Sequence, residues 1–290
     1  MIARKFGTHD GTFHADEVSA CALLLVFGLI DRDKIFRTRD PAKLKECGFV
    51  CDVGGIYDPK KKRFDHHQLE YKGELSSAGM IWLYLLDQKF IDQPLYDYVN
   101  QSIILGIDAH DVGKVMQKEG VCTFSHVVAN FVPIGYGADD QELNKAFFEA
   151  LEFVVGHFER LFKRYKYILS CRDKVSEAMA ANEKVLIFGE SMPWQENFFE
   201  LGGLYHPALF VIMPSQNHWK LRGIPPNPKA KMDVRMPLPE EWAGLRDEEL
   251  QAASGVKGAI FCHKGRFISV WETKEDALKA LKTILEKEGE

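Results

Sequence analysis

The sequence predicts an α/β protein: a first domain built on a mostly parallel sheet, then a smaller α+β domain at the C-terminal end. Three observations carry that prediction. Short apolar runs alternate with amphipathic ones through the first half. From Asp139 to about Asn182 the chain has no proline and keeps apolar residues such as Phe147, Leu151, Val154, Phe158 and Phe162 at helical spacing. Beyond it, strand-like runs crowd together before one last amphipathic helix.

In chain order, "THDGTFHADEVSACALLL" (8–25) marks a strand giving way to a helix. "IFRTR" (35–39) and "FVCDVGG" (49–55) read as strands, "PAKLKEC" (41–47) as the helix between them and "KRFDHH" (62–67) as a further strand. "SSAGMIWLYLLDQKF" begins with serines suited to N-capping, and "PLYDYVNQSIILGIDAHD" with a proline suited to a first helical turn. Gly156 is expected to kink or divide the long helix. "KVLIFG", "PALFVIMP", "WKLRGI", "GAIFCH" and "RFISVW" follow as strands, and "TKEDALKALKTILEKE" as the closing helix. The expected division is 1–183, including the connecting helix, and 184–290.

Composition narrows the classes. No stretch approaches the roughly 20 apolar residues of a membrane span, and "MIARKFGTH" lacks a signal-peptide core, so the expected address is the cytoplasm, with no membrane partner. Six cysteines without CxxC spacing suit reduced thiols better than a disulfide framework or a Cys-based zinc site. A formal charge of −5 argues against long-range steering toward nucleic acid, although a local basic groove remains compatible with it. The oligomeric state stays open, a homo-oligomer included.

The chemistry gathers at strand ends. His9 and His14 flank the turn at Gly11, with Asp16 at the start of the next helix. Asp52 ends "FVCD" before Gly54-Gly55, and Asp65, His66 and His67 close another strand. Ligands bind at the carboxyl ends of parallel strands. Imidazoles mixed with carboxylates suit a first-row divalent ion better than an all-oxygen cage. Taken singly, Asp16 reads equally as a helix cap, Asp52 as a turn residue and the paired histidines as surface groups. Their combination favours a metal site: five of the ten histidines, His110 among them, lie in the first 110 residues beside an aspartate.

At these residues the sequence resembles a known family. "FDHHQ" is similar to the motif that names the DHH phosphoesterase superfamily. "GTHDGTFHADEVSACALL", "RTRDP", "DVGGIYDP", "SSAG", "PLPEEWAGLRDEEL" and "GAIFCHKGRFI" resemble its Myg family of exonuclease-type proteins, nearly end to end. The resemblance implies a Rossmann-like DHH-type domain holding two divalent ions, commonly manganese, with magnesium or cobalt as alternatives, and a C-terminal domain that engages substrate. It implies that His9 and His14 bind one ion with Asp52, and that Asp16, Asp52, His66 and an aspartate of "GIDAHDVG" bind the other. Asp108 is favoured there, with Asp111 as alternative or supporting partner. Asp65 is expected to orient a histidine and His67 to face the phosphate, so that Asp52, Asp65, His66 and His67 form the catalytic set. Most of the superfamily begins His-x-x-x-Asp-x-Asp, whereas this chain has His9, four residues, then His14-x-Asp16, an imidazole in place of a carboxylate.

The implied activity is phosphodiester hydrolysis of RNA or short oligonucleotides, from the 3′ end, by two-metal activation of water. A hydrolase of a small phosphoanhydride or dinucleotide and a nucleic-acid-binding protein with structural metals are the alternatives. Neither a serine nucleophile elbow nor a Walker loop is present. Lys62 and Arg63, just before the DHH motif, are candidates for collecting a polyanionic strand. Arg222, His263 and Arg266, among Trp219, Lys220 and Lys264, are candidates for gripping phosphate and base, an exposed strand face being the alternative.

Overall fold

The computed structural model describes residues 4–115, 118–135, 137–230 and 233–287. The chain forms two compact units, Met1–Tyr165 and Lys166–Glu290.

The first unit holds a five-stranded sheet of β1 (Phe6–Thr8), β2 (Ile35–Arg37), β3 (Phe49–Cys51), β4 (Tyr57–Asp58) and β5 (Arg63–Phe64), in the order β2-β1-β3-β5-β4. All pairings are parallel except the edge pair β4–β5. Its helices are α1 (Ala15–Val26), α2 (Pro41–Lys45), α3 (Ser77–Asp87), α4 (Gln93–Val99), α5 (Leu105–Asp111), α6 (Phe124–Ala129) and α7 (Asp140–Ser170). One turn of π-helix, Asn100–Ile104, joins α4 to α5. Asp40 accepts from the Ala42 amide to start α2, and Asp92 from the Leu95 amide to start α4. The core gathers Phe6, Phe64, Trp82, Phe147 and Phe158.

Helix α7 runs uninterrupted through Gly156, contrary to the expected division. A lone glycine costs a helix only about 1 kcal/mol, whereas burying Phe147, Leu151, Val154 and Phe158 returns several times that. The break comes at Cys171, before α8 (Arg172–Ala180). The two compact units divide within α7, between Tyr165 and Lys166. Cys171 and Val175 belong to the second unit because they are buried with Leu186 and Val211.

The second unit carries β6 (Val185–Ile187), α9 (Gln195–Phe198), β7 (Phe210–Ser215), β8 (His218–Gly223), α10 (Asp247–Ser254), β9 (Ala259–Cys262), β10 (Ile268–Trp271) and α11 (Lys274–Lys287). The sheet order is β6-β7-β8-β10-β9, parallel only between β6 and β7. One hydrophobic cluster gathers Phe210, Leu221, Trp242 and Trp271 with Leu281 of α11, and a second gathers Val211 and Met213 with Phe198 and Val175. Among the described residues no helix is long and apolar enough to cross a membrane.

Candidate metal centre

Parallel strands end at one edge of a sheet, so the loops after β1, β3 and β5 leave together and meet α5 there. After β1 come His9 and His14, then Asp16 and Glu17 in the first turn of α1. Asp52 follows β3 in a left-handed conformation (φ 57°), and Gly54 and Gly55 (φ 98° and 66°) bend the chain sharply behind it. After β5 come Asp65, His66 and His67.

Three interlocked groups result. Single donor atoms of His9, His14, Glu17 and Asp52 lie within 4.8 Å of one another, as do those of Asp52, His66 and His67, and those of Asp16, His66 and Asp111. Asp52 joins the first two groups and His66 the last two. His9 Nε2 stands 3.1 Å from Glu17 Oε1 and 3.2 Å from Asp52 Oδ2, and His66 Nε2 stands 3.1 Å from Asp111 Oδ2 and 3.5 Å from Asp52 Oδ1. Yet Asp16 Oδ2, Asp52 Oδ1 and His66 Nε2 are buried without a hydrogen-bond partner. Buried polar atoms without partners are rare in folded proteins. His66 shares one donor group with Asp52 and another with Asp16, and imidazoles mixed with carboxylates at that spacing fit a first-row divalent cation.

Electrostatics agree. Burial disfavours a charged His9, but its hydrogen bonds to Asp52 and Glu17 outweigh burial and push its pKa up to about 10. Asp52 is held well below the usual carboxylate range: burial opposes this, and the imidazoles of His66 and His9 overcome it. Burial, reinforced by the facing carboxylates of Asp52 and Asp111, pushes Asp16 far upward, and burial raises Asp111. A cation in their midst would do the work of those protons.

The ligands are held from behind. Asp10 O lies 2.8 Å from His9 Nδ1, which fixes that ring with Nε2 toward the carboxylates. Glu17 accepts from the His14 amide at 2.9 Å, closing the first turn of α1 while facing His9. Asp65 binds the Gly55 amide with one oxygen and His67 Nδ1, at 2.8 Å, with the other.

A family profile described as "Uncharacterised protein family (UPF0160)", MYG1_exonuc, matches residues 5–285. The chain belongs to this MYG1_exonuc family. It is 48% identical to a MYG1 protein of Chlamydia trachomatis, over 99% of each chain. It is 35% identical to the human protein named MYG1 exonuclease, over 98% of this chain and 86% of that one. Among solved structures it matches RecJ of Thermus thermophilus in complex with Mn2+ at 16% identity and a TM-score of 0.29, covering 98% of this chain and about half (52%) of RecJ. So low a score carries nothing for this chain.

In this MYG1_exonuc chain, His9, His14, Asp16, Asp52, His66 and His67 meet at one cavity of about 1150 Å3, with Asp65 and Asp111. Four points bear on the expected site residues. Asp111, rather than Asp108, offers a donor atom to the clustered groups, although Asp108 Oδ2 is likewise buried without a hydrogen-bond partner. Asp108 Oδ1 accepts from the amides of Ser76 and Gly79 and from Ser76 Oγ, capping α3 from outside. Asp16 does the same through the Ala78 amide and Ser76 Oγ, so the Ser76 hydroxyl serves these acids rather than its own helix. Burial leaves Asp108 raised to about 6 despite those hydrogen bonds. Gly79 makes room: a Cβ there would stand 2.2 Å from Asp108 Oδ2.

Second, Lys62, just before β5, and Arg63, its first residue, are not among the residues lining the cavity. Arg63 donates to the carbonyls of Lys61, Lys62 and Cys47, and Lys62 Nζ lies over the Phe49 ring. Third, His263 and Arg266 form the turn between β9 and β10. His263 Nδ1 accepts from the Gly265 amide, the Arg266 amide donates to His263 O, and Arg266 sits at φ 56°. Arg222 lies on β8, its Nε buried and without a hydrogen-bond partner. These three residues belong to the second unit, whereas the cavity lining belongs to the first. Fourth, Glu17 was missed, although His14-x-x-Glu17 has capping-box spacing, a readable sign of a carboxylate folded back onto the loop.

Proposed function

We propose that this protein is a divalent-metal-dependent phosphodiesterase that trims RNA or short oligonucleotides from the 3′ end, using two ions, manganese first and magnesium or cobalt as substitutes. The observation that carries the reading is the set of three interlocked donor groups sharing Asp52 and His66. The name exonuclease of the human relative supports it.

His9, His14, Glu17 and Asp52 would hold one ion, and Asp16, Asp52, His66 and Asp111 the other, with Asp52 common to both. Bound there, divalent ions supply Lewis acidity at phosphorus and a water acidic enough to attack near neutral pH. The protein contributes the rest. Asp65 fixes His67 through Nδ1, which leaves Nε2, on a side chain 65% exposed, to carry a proton to a phosphate or leaving oxygen. Arg222, His263 and Arg266 are proposed to contact the nucleic acid. Six free cysteines, five of them buried, fit a reducing compartment and so the cytoplasm.

The test is cleavage of an end-labelled RNA oligonucleotide with manganese, wild type against Asp52→Ala, with a dinucleotide as competitor. A ladder shortening one nucleotide at a time, absent in the variant, supports the reading. Turnover of the dinucleotide alone moves the assignment to a small-molecule phosphohydrolase, and RNA binding without turnover moves it to a binding protein.

A further inference from the structure

We propose that Arg39 is a phosphate clamp, taking the phosphate next to the scissile one in a nucleotide chain. The proposal rests on the phosphodiesterase reading and deepens it by stating what the site requires of its substrate: a second phosphate.

The cleft of about 1150 Å3 is several times larger than two ions and one phosphate fill, which leaves room for more of the substrate. Its wall is acidic, with Asp10, Asp16, Asp52, Asp65 and Asp111. With Asp16, Asp52 and Asp111 given to the ions, Asp10 and Asp65 are the carboxylates a second phosphate meets, and a fixed positive charge offsets them. Among the described lining residues, Arg39 is the one lysine or arginine.

Its setting suits the task. The backbone on either side is anchored: the Thr38 amide donates to Thr8 O at 2.7 Å, the Asp40 amide to Thr38 Oγ1 at 3.1 Å, and the Asp40 side chain caps α2. The Arg39 side chain is 65% exposed and its ion pair is with Asp10, at 3.2 Å and 46% exposed. An exposed pair of this kind contributes little stability. A phosphate offers the planar guanidinium a two-pronged, charge-assisted contact in exchange. Arg37 supplies the contrast. It donates to Gly11 O and Asn144 Oδ1 and lies over the rings of Phe13 and Phe147, so its guanidinium is committed to structure. The resting partner of Arg39 is well placed too, since the Asp10 carbonyl also fixes His9.

The test compares the dinucleotide ApA with pApA and ApAp, using manganese-loaded wild type, Arg39→Ala and Arg39→Lys. Wild type should prefer one phosphorylated form, and Arg39→Ala should shrink that preference about 10- to 100-fold, mostly through KM. Arg39→Lys should recover part of it. Isothermal titration with AMP against adenosine gives a second readout, in which Arg39→Ala loses the contribution of the phosphate. The exposed site predicts a melting point within about 2 °C of wild type. An unchanged preference with unchanged AMP affinity overturns the proposal. Wild type inert toward every oligonucleotide overturns the phosphodiesterase reading instead, and the AMP titration then decides Arg39 by itself.

Discussion

The two sheets use charged residues in opposite ways. In the second sheet the hairpin between β9 and β10 absorbs His263 and Arg266 into its turn, where an imidazole nitrogen and backbone groups close the loop. In the first, the chain leaves β1, β3 and β5 at one edge and need not return at once. Asp65 closes its own turn there, but Asp52 and His66, after β3 and β5, and Asp16, in the first turn of α1, keep buried atoms without hydrogen-bond partners. A polar residue at a strand end thus signals function when the turn does not consume it.

The sharpest way to break this comparison is to remove the shared carboxylate. Asp52→Ala should lower manganese-dependent turnover by at least about 10³-fold in initial-rate assays, several kcal/mol of charge stabilisation being lost at both donor groups. A residual rate within tenfold of wild type would mean that Asp52 is a turn residue like those of the second sheet.

Next come the two aspartates of α5. Asp111→Asn should weaken manganese binding by about 100-fold while barely moving the unfolding midpoint. Gly79→Ala, which drives a methyl group into the Asp108 carboxylate, should destabilise by about 1–3 kcal/mol in urea titration. Reversal of these two outcomes would restore Asp108 as the ligand.

The difference between Asp108 and Asp111 marks the limit of what sequence discloses. Both lie on one helix, three residues apart, and both read as acids facing a site. The choice depends on where α3 begins, because an incoming helix N-terminus claims whichever carboxylate it meets. That contact joins residues about thirty apart, and no local pattern contains it. The strands, the parallel order and the His9, Asp52 and His66 clusters were legible, because apolar runs and strand-end polar groups are local signals. Lys62 and Arg63 stand next to the DHH motif in sequence, yet they contact Phe49 and the backbone of Cys47, Lys61 and Lys62, which no local pattern discloses. Glu17 was passed over because its capping role and its place beside His9 coincide.

A smaller effect is expected with pH in metal-free protein. His9, His66, Asp16, Asp108 and Asp111 all keep their protons to higher pH folded than unfolded, so the native state binds more protons and stability falls as pH rises. The Asp108 share disappears between the ordinary carboxylate range and about pH 6, and the His9 share between the ordinary imidazole value of 6.5 and about 10. Asp52 works oppositely, but only at acid pH. Denaturant titrations should record a loss on the order of 2 kcal/mol from pH 5 to pH 8, and manganese should flatten the slope.

The smallest change tests the second sheet. Arg266→Gly, at a left-handed position, should be neutral or stabilising by up to about 1 kcal/mol. Any rise in KM for oligonucleotides that accompanies unchanged stability assigns the guanidinium a second role on substrate.

The most direct measurement of the central claim is anomalous scattering from crystals soaked in manganese near pH 7.5. Two peaks flanking Asp52 are expected, one contacted by His9, His14 and Glu17, the other by Asp16, His66 and Asp111. Absence of both peaks, or a peak ligated by Asp108 in place of Asp111, would contradict that claim.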